Sequence, residues 1–205
     1  MSEFDLNHVE PIYIDVLTEL GNIGAGNAAT SLAQMLNTQV KMTVPKVELL
    51  DFDKIGEAMG GEEQIMAGIY LLVEGDITGS IMFLLDERSA HVLTSKLMGT
   101  TPTEGELNEM EASALKEIGN IVTGAYLNSL AAITNLTITE SIPDLTVDMA
   151  GAILSVPAIQ FGMVGDKILF IQTGFTGDEE LNAFFLLVPD LPSYDKLLKA
   201  LGVMQ

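Results

Sequence analysis

A carboxylate and a carboxamide, Glu19 and Asn22, stand close together near the start of this chain, and the same pair returns as Glu117 and Asn120. The agreement extends outward. Asp15, Glu19, Asn22 and Pro45 recur as Ser113, Glu117, Asn120 and Pro143, with three, two and twenty-two intervening residues in both copies. Between the Glu and the Pro, Gly21, Ile23, Gly26, Ser31, Leu32, Ala33 and Asn37 also fall on Gly119, Ile121, Gly124, Ser129, Leu130, Ala131 and Asn135 without a gap. Two copies of one small polar site follow from that register. Packing alone explains Leu32 with Leu130 and Ala33 with Ala131. It does not explain a matched Glu and Asn, which an apolar core rejects unless both are satisfied.

What chemistry such a site can carry is bounded by what the chain lacks. There is no cysteine, hence no thiolate nucleophile and no disulfide framework, and Arg88 is the one arginine. His8 and His91 are too few and too isolated for a zinc site or a convincing general base. A formal net charge of -20, from 9 Lys plus Arg against 29 acidic residues, argues against nucleic acid and anionic membranes, which demand a basic surface. A partner with a cationic feature is favoured. The acidic, polar start MSEFDLNHVE reads as no signal peptide, and no apolar run is long enough to span a bilayer, so the expectation is a soluble cytoplasmic protein.

The elements that must hold the two sites are long helices, expected from about His8 to Asn37 and from about Glu104 to Asn135. Thr103 with Glu106 offers a capping box for the second, and Glu104, Glu106 and Glu109 suit the positive end of its dipole. Each helix precedes β-rich sequence: TQVKMTVPKVELL and IMAGIYLLVEGDITGSIMFLLD, then LTITESIPDLTVD, ILSVPAIQFGMVGDKILFI and NAFFLLV. Alternation and Gly-Asp turns favour antiparallel hairpins. ERSAHVLTSKLMG and SYDKLLKALG close the halves as short amphipathic helices. The expected architecture is one α/β domain over residues 1–205, a pseudo-two-fold of two helix-strands-helix repeats. The repeats run from about 8 to 99 and from about 104 to 202, with long helices packed on a mixed or antiparallel sheet.

On a helix, Asp15, Glu19 and Asn22 fall within about 60° of one another, and continuing the stripe reaches Gly26; Ser113, Glu117 and Asn120 lead likewise to Gly124. Tyr13, Leu17, Leu20, Ala28, Leu32 and Met35 take the other side of the first helix, so the stripe faces outward. Each glycine inside a helix costs about 1 kcal/mol relative to alanine. Close packing on the apolar side accounts for Gly21 and Gly119. Gly26 and Gly124 lie on the outer stripe, where close approach of another protein is the expectation. GNIGAG lacks the order and the preceding strand of a nucleotide-binding glycine loop.

The duplicated pattern resembles the signature of the CheC family of chemotaxis phosphatases, whose relatives include CheX and flagellar switch proteins such as FliY, and both copies match it at every position. The resemblance covers essentially the whole chain. It implies hydrolysis of the aspartyl phosphate on the response regulator CheY, with Glu19 and Asn22 in one active site and Glu117 and Asn120 in the other. Asp15, Ser113, Gly26, Gly124, Pro45 and Pro143 are implied as supporting residues. CheD, a receptor-modifying deamidase, is the second implied partner, and a monomer is expected when the protein is free. The family chemistry implies no metal or cofactor of its own, since the response regulator brings Mg²⁺ and a lysine. Asn would then orient the attacking water, and Glu would dock against that lysine. Two alternatives remain at this level: a non-enzymatic docking module for CheY or CheD, or a switch-complex component, and divalent-metal binding by the many carboxylates.

Overall fold

The computed structural model describes residues 10–37, 41–42, 46–160, 167–176 and 180–204. Helix α1 (Pro11–Met35) opens the chain, followed by strands β1 (Lys41–Met42) and β2 (Lys46–Asp51), helix α2 (Phe52–Ala58), hairpin β3 (Ile65–Gly75) and β4 (Gly79–Asp86), and helix α3 (Glu87–Met98). The same order then returns as α4 (Glu109–Thr134), β5 (Ile138–Glu140), β6 (Asp144–Met149), α5 (Ala150–Gln160), β7 (Lys167–Thr176), β8 (Glu180–Pro189) and α6 (Leu191–Ala200). His8 and Pro45 lie outside the described residues.

One sheet holds both halves, in the order β1-β7-β8-β4-β3-β5, with β2 also on β7 and β6 also on β3. Every pairing among the described residues is antiparallel. Each half lends its first strands to the other half's hairpin, so neither sheet edge is complete within one repeat. The registers correspond: Val73 opposite Glu140 matches Phe175 opposite Met42, and Tyr70 opposite Asp144 matches Gln172 opposite Lys46. At the centre Phe83 pairs with Phe185, its own counterpart, with ring centroids 5.0 Å apart. The pseudo-two-fold passes through that pair.

Strand alternation sends one set of side chains to each face of the sheet. Ile81, Phe83 and Leu85 of β4 join a core with α1, α3, α4 and α6, whereas Met82 and Leu84 face a smaller core with Ile55 of α2 and Ile153 and Leu154 of α5. The molecule is therefore three layers, with the two site-bearing helices together on the larger face. They touch closely. A Cβ placed on Gly24 would lie 2.4 Å from the Tyr126 ring, which itself stacks on Phe185 at 5.5 Å. Gly21 and Gly119 are close-packed as expected, but against the sheet: Val47 at 2.8 Å from a Gly21 Cβ, and Ile69 at 2.6 Å from a Gly119 Cβ.

Three local expectations are corrected. The segment ILSVPAIQ is helix α5, not strand, because an all-round apolar run of this length fits either a buried strand or a buried helix. The seven-residue α2 was not expected at all. The second long helix starts at Glu109, not Glu104: Gly105 has φ +86°, incompatible with helix continuation, and Asn108 is the N-cap. Asn108 and Glu111 make the reciprocal capping box instead of Thr103 and Glu106. Both long helices end beside an asparagine in the left-handed region, Asn37 at φ 48° and Asn135 at φ 56°. The shorter closing helices are capped alike, Asp86 accepting from Ser89 N and Asp190 from Ser193 N. Their serines then cross the pseudo-axis, Ser89 Oγ accepting from Asn182 N and Ser193 Oγ from Thr78 N.

Candidate active site

Helix α1 begins at Pro11, whose fixed φ suits the first turn, and runs long enough to carry the whole first stripe. Leu17, Leu20, Ala28 and Leu32 are buried beneath it, and Asp15 and Glu19 are exposed on top. Asn22 is half-buried. Its Oδ1 is buried with no hydrogen-bond partner, so no protein group competes for that acceptor. On α4 the arrangement repeats: Ser113 and Glu117 exposed, Asn120 half-buried, and Leu115, Ile118 and Val122 in the core. The Asn120 backbone carbonyl lies 3.3 Å from Thr123 Oγ, which donates more closely to the Gly119 backbone carbonyl at 2.7 Å.

The outer glycines are less open than the sequence suggests. Gly26 is half-buried and Gly124 is buried, because β5 crosses the α4 stripe and sets Glu140 Oε1 3.0 Å from where a Gly124 Cβ would stand. Glu140 was not a sequence candidate, since only the pairing of β5 with β3 brings it there. The residue at the matching register of the first half is Met42. Pro143 sits in the break between β5 and β6, where its missing N–H leaves no ladder bond unmade. The break is pinned by Ser141, whose N donates to Leu72 O and whose Oγ accepts from Leu72 N, each at 3.0 Å.

The stripes are surface features. A cleft of about 470 Å³ lies elsewhere, between α3 and the link to α4, lined by Glu87, Arg88, His91, Val92, Thr103 and Gly105 among others. No stripe residue reaches it. His91 there is buried and structural: its Nε2–H donates to Gly105 O at 2.8 Å, and its Nδ1 lies 2.9 Å from Thr103 Oγ and 3.2 Å from Glu111. Glu111 is 2% exposed and accepts from Thr103 Oγ–H at 2.6 Å and Asn108 N at 2.9 Å. Those two hydrogen bonds, with a smaller contribution from His91, hold its carboxyl below the usual range despite burial. Among the described residues no group of three or more His, Cys, Asp or Glu is placed to hold a metal ion. No helix among them is long and apolar enough to cross a membrane. What remains for chemistry is an exposed carboxylate beside a half-buried carboxamide, twice, on open helix faces that a protein-sized substrate can reach.

Comparison with known proteins ties these two faces to a lineage. The CheC-like family matches residues 13–49 and 110–147, the two stretches that carry the stripes. The CheY-P phosphatase CheC of Bacillus subtilis is 38% identical over 96% of this chain and 97% of its own. The flagellar motor switch phosphatase FliY of the same organism is 28% identical over 68% of this chain, which is 36% of FliY. Among solved structures, Thermotoga maritima FliY superposes with a TM-score of 0.75 at 22% identity, over 96% of this chain and 99% of that one. CheX in its complex with CheY, BeF3 and Mg from Borrelia burgdorferi superposes at 0.54 and 16% identity, over 82% and 95%. Near full-length identity of that order, with the duplicated stripes at its centre, makes this chain a member of the CheC-like family.

Proposed function

We propose that the chain is a phosphatase of the CheY aspartyl phosphate, acting through two stripes, Glu19 with Asn22 and Glu117 with Asn120. The observation that carries this reading is the twofold occurrence of an exposed Glu beside a half-buried Asn on the large-core helices of a chain 38% identical to a CheY-P phosphatase.

An acyl phosphate is already activated, so the enzyme's task is to place water in line with the scissile P–O bond. The water oxygen bonds to phosphorus as the bond to the aspartyl oxygen breaks. The aspartate leaves as carboxylate, and both protons of the water end on the inorganic phosphate. The Asn carboxamide accepts from the water through Oδ1 and donates through Nδ2 to a phosphoryl oxygen, which needs no shifted pKa but at Asn22 requires the side chain to turn its buried Oδ1 outward on docking. Glu would be repelled by the phosphoryl group unless a cation intervened, and a lysine on the partner fills that role. Its task is docking and orientation. Asp15 and Ser113 shape the rim of each stripe, and Gly26 keeps the far end of the first low, whereas at the far end of the second Glu140 covers Gly124. Charge neutralisation at the phosphoryl group comes from Mg²⁺ bound by the response regulator, with no metal or cofactor of the phosphatase's own.

The family resemblance supports CheD as a second partner and a monomeric, cytoplasmic protein when free. The repeats are read as about 8–99 and 104–202 within one domain. A non-enzymatic docking module makes the opposite prediction in one experiment. Substoichiometric chain added to phosphorylated CheY releases phosphate over many turnovers if it is an enzyme. A module leaves the phosphoryl group in place or protects it.

A further inference from the structure

Large apolar side chains exposed to water are unremarkable when scattered. Two of those here are not scattered. Ile12 is 48% exposed and Met110 is 71% exposed, and they occupy the same position in the two copies, three residues before Asp15 and three before Ser113. At about 100° per residue, each lies seven residues and almost two full turns before its Glu, on the same helix face. The outward stripe on each helix therefore runs apolar anchor, Asp or Ser, Glu, Asn, glycine. Helix packing does not account for the anchors, since in the turns that carry them the buried leucines and isoleucine, Leu17 and Leu20 on α1 and Leu115 and Ile118 on α4, lie on the other side.

We infer that Ile12 and Met110 are apolar anchors for the docking response regulator, each setting the affinity of its own stripe. The inference rests on the functional reading of the stripes given above. Distance supports it: the ten residues from Ile12 to Asn22, or from Met110 to Asn120, span about 15 Å of helix. A standard interface buries about 800 Å² on each partner, a disc of roughly 16 Å radius. A regulator whose phosphoryl group sits at the Asn thus covers the anchor with the edge of its footprint. The chemistry required of that regulator is an apolar surface residue some 15 Å from its phosphorylated aspartate. Charge alone would dock loosely on so acidic a surface, and an apolar contact adds affinity that salt does not screen.

The test isolates one stripe at a time. In an Asn120→Ala chain, Ile12→Ser is expected to raise KM for phosphorylated CheY about tenfold with kcat within about twofold, and Ile12→Met to restore it. In an Asn22→Ala chain, Met110→Ser is expected to do the same and Met110→Ile to restore it. Ile133→Ser serves as control, because Ile133 is 39% exposed on α4 but roughly opposite the stripe. Binding is read separately by titrating CheY carrying beryllofluoride and Mg²⁺, in which beryllofluoride stands in for the phosphoryl group. If no variant turns over yet the serine changes still weaken this binding about tenfold, hydrolysis is wrong and the anchors stand. Normal turnover with KM and binding unmoved by Ile12→Ser and Met110→Ser, in chains with native circular dichroism, overturns the inference.

Discussion

Replacing Gly24 with alanine adds one methyl group at the point where α1 and α4 meet. An alanine Cβ there stands 2.4, 2.6 and 2.8 Å from three carbons of the Tyr126 ring, about 1 Å inside ordinary contact. Tyr126 cannot easily give way. It is fully buried and stacked on Phe185, which is held in turn against Phe83 at the pseudo-axis. The helices must therefore separate or the ring must leave its rotamer. Overpacking costs about 1–3 kcal/mol, and an overlap of about 1 Å on a ring held this firmly falls in the upper part of that range, about 2–3 kcal/mol, of which the better helix propensity of alanine returns about 1 kcal/mol. The net expectation is a loss of about 1–2 kcal/mol. For a chain of this size that lowers Tm by roughly 2–8 °C in calorimetry. Gly151→Ala is the comparison, since its Cβ would meet nothing nearer than 3.5 Å and should hold or raise Tm. If Gly24→Ala is as stable as the parent, the close helix contact attributed to Gly24 and Tyr126 is wrong.

Tyr126 carries a second expectation: its hydroxyl is buried without a hydrogen-bond partner, and burial pushes its pKa well up. Tyr126→Phe removes that unsatisfied group and should raise stability by about 1 kcal/mol in urea titration, against the usual sign for a core substitution. Glu111 makes the pH-dependent case. Its folded-state pKa is depressed, so its stabilisation is present above the unfolded carboxyl value and is lost as pH falls through the folded one. Glu111→Gln should cost about 1.5–3 kcal/mol at pH 7, and the difference from the parent should shrink on acidification below about pH 4.5. A gap independent of pH would contradict this. At the stripes, Glu19→Gln with Glu117→Gln should raise KM for phosphorylated CheY roughly ten- to a hundredfold while kcat changes little, from loss of a charge-assisted contact. An unchanged KM would remove the docking role.

Much of the site was legible because its signal is periodic and duplicated. A polar stripe with apolar residues opposite places Glu19 and Glu117 outward without any tertiary information, whereas Asn22 and Asn120, expected to face outward as well, are half-buried. The boundaries at Asn37 and Asn135 were legible for a local reason, as asparagine tolerates the left-handed turn that ends each helix. Non-local features were not legible. Nothing in the sequence says that β5 and β6 pair with β3, and that pairing brings Glu140 over Gly124 and closes the glycine end of the second stripe. Helix α5 was misread because its exposed positions Ala152 and Val156 are apolar as well, which hides in the sequence the helical i, i+1, i+4 burial of Ile153, Leu154 and Pro157. At the start of α4 two plausible caps competed, and the positive φ of Gly105 decided for Asn108.

The central claim is that the two carboxamides position water for hydrolysis, and phosphate release from phosphorylated CheY by the Asn22→Ala, Asn120→Ala and doubly substituted chains tests it most directly. Each single variant should keep part of the parent's turnover, because the other stripe is intact. The double variant should lose turnover while retaining native circular dichroism and binding to beryllofluoride-loaded CheY. Full turnover by a folded double variant would contradict the account.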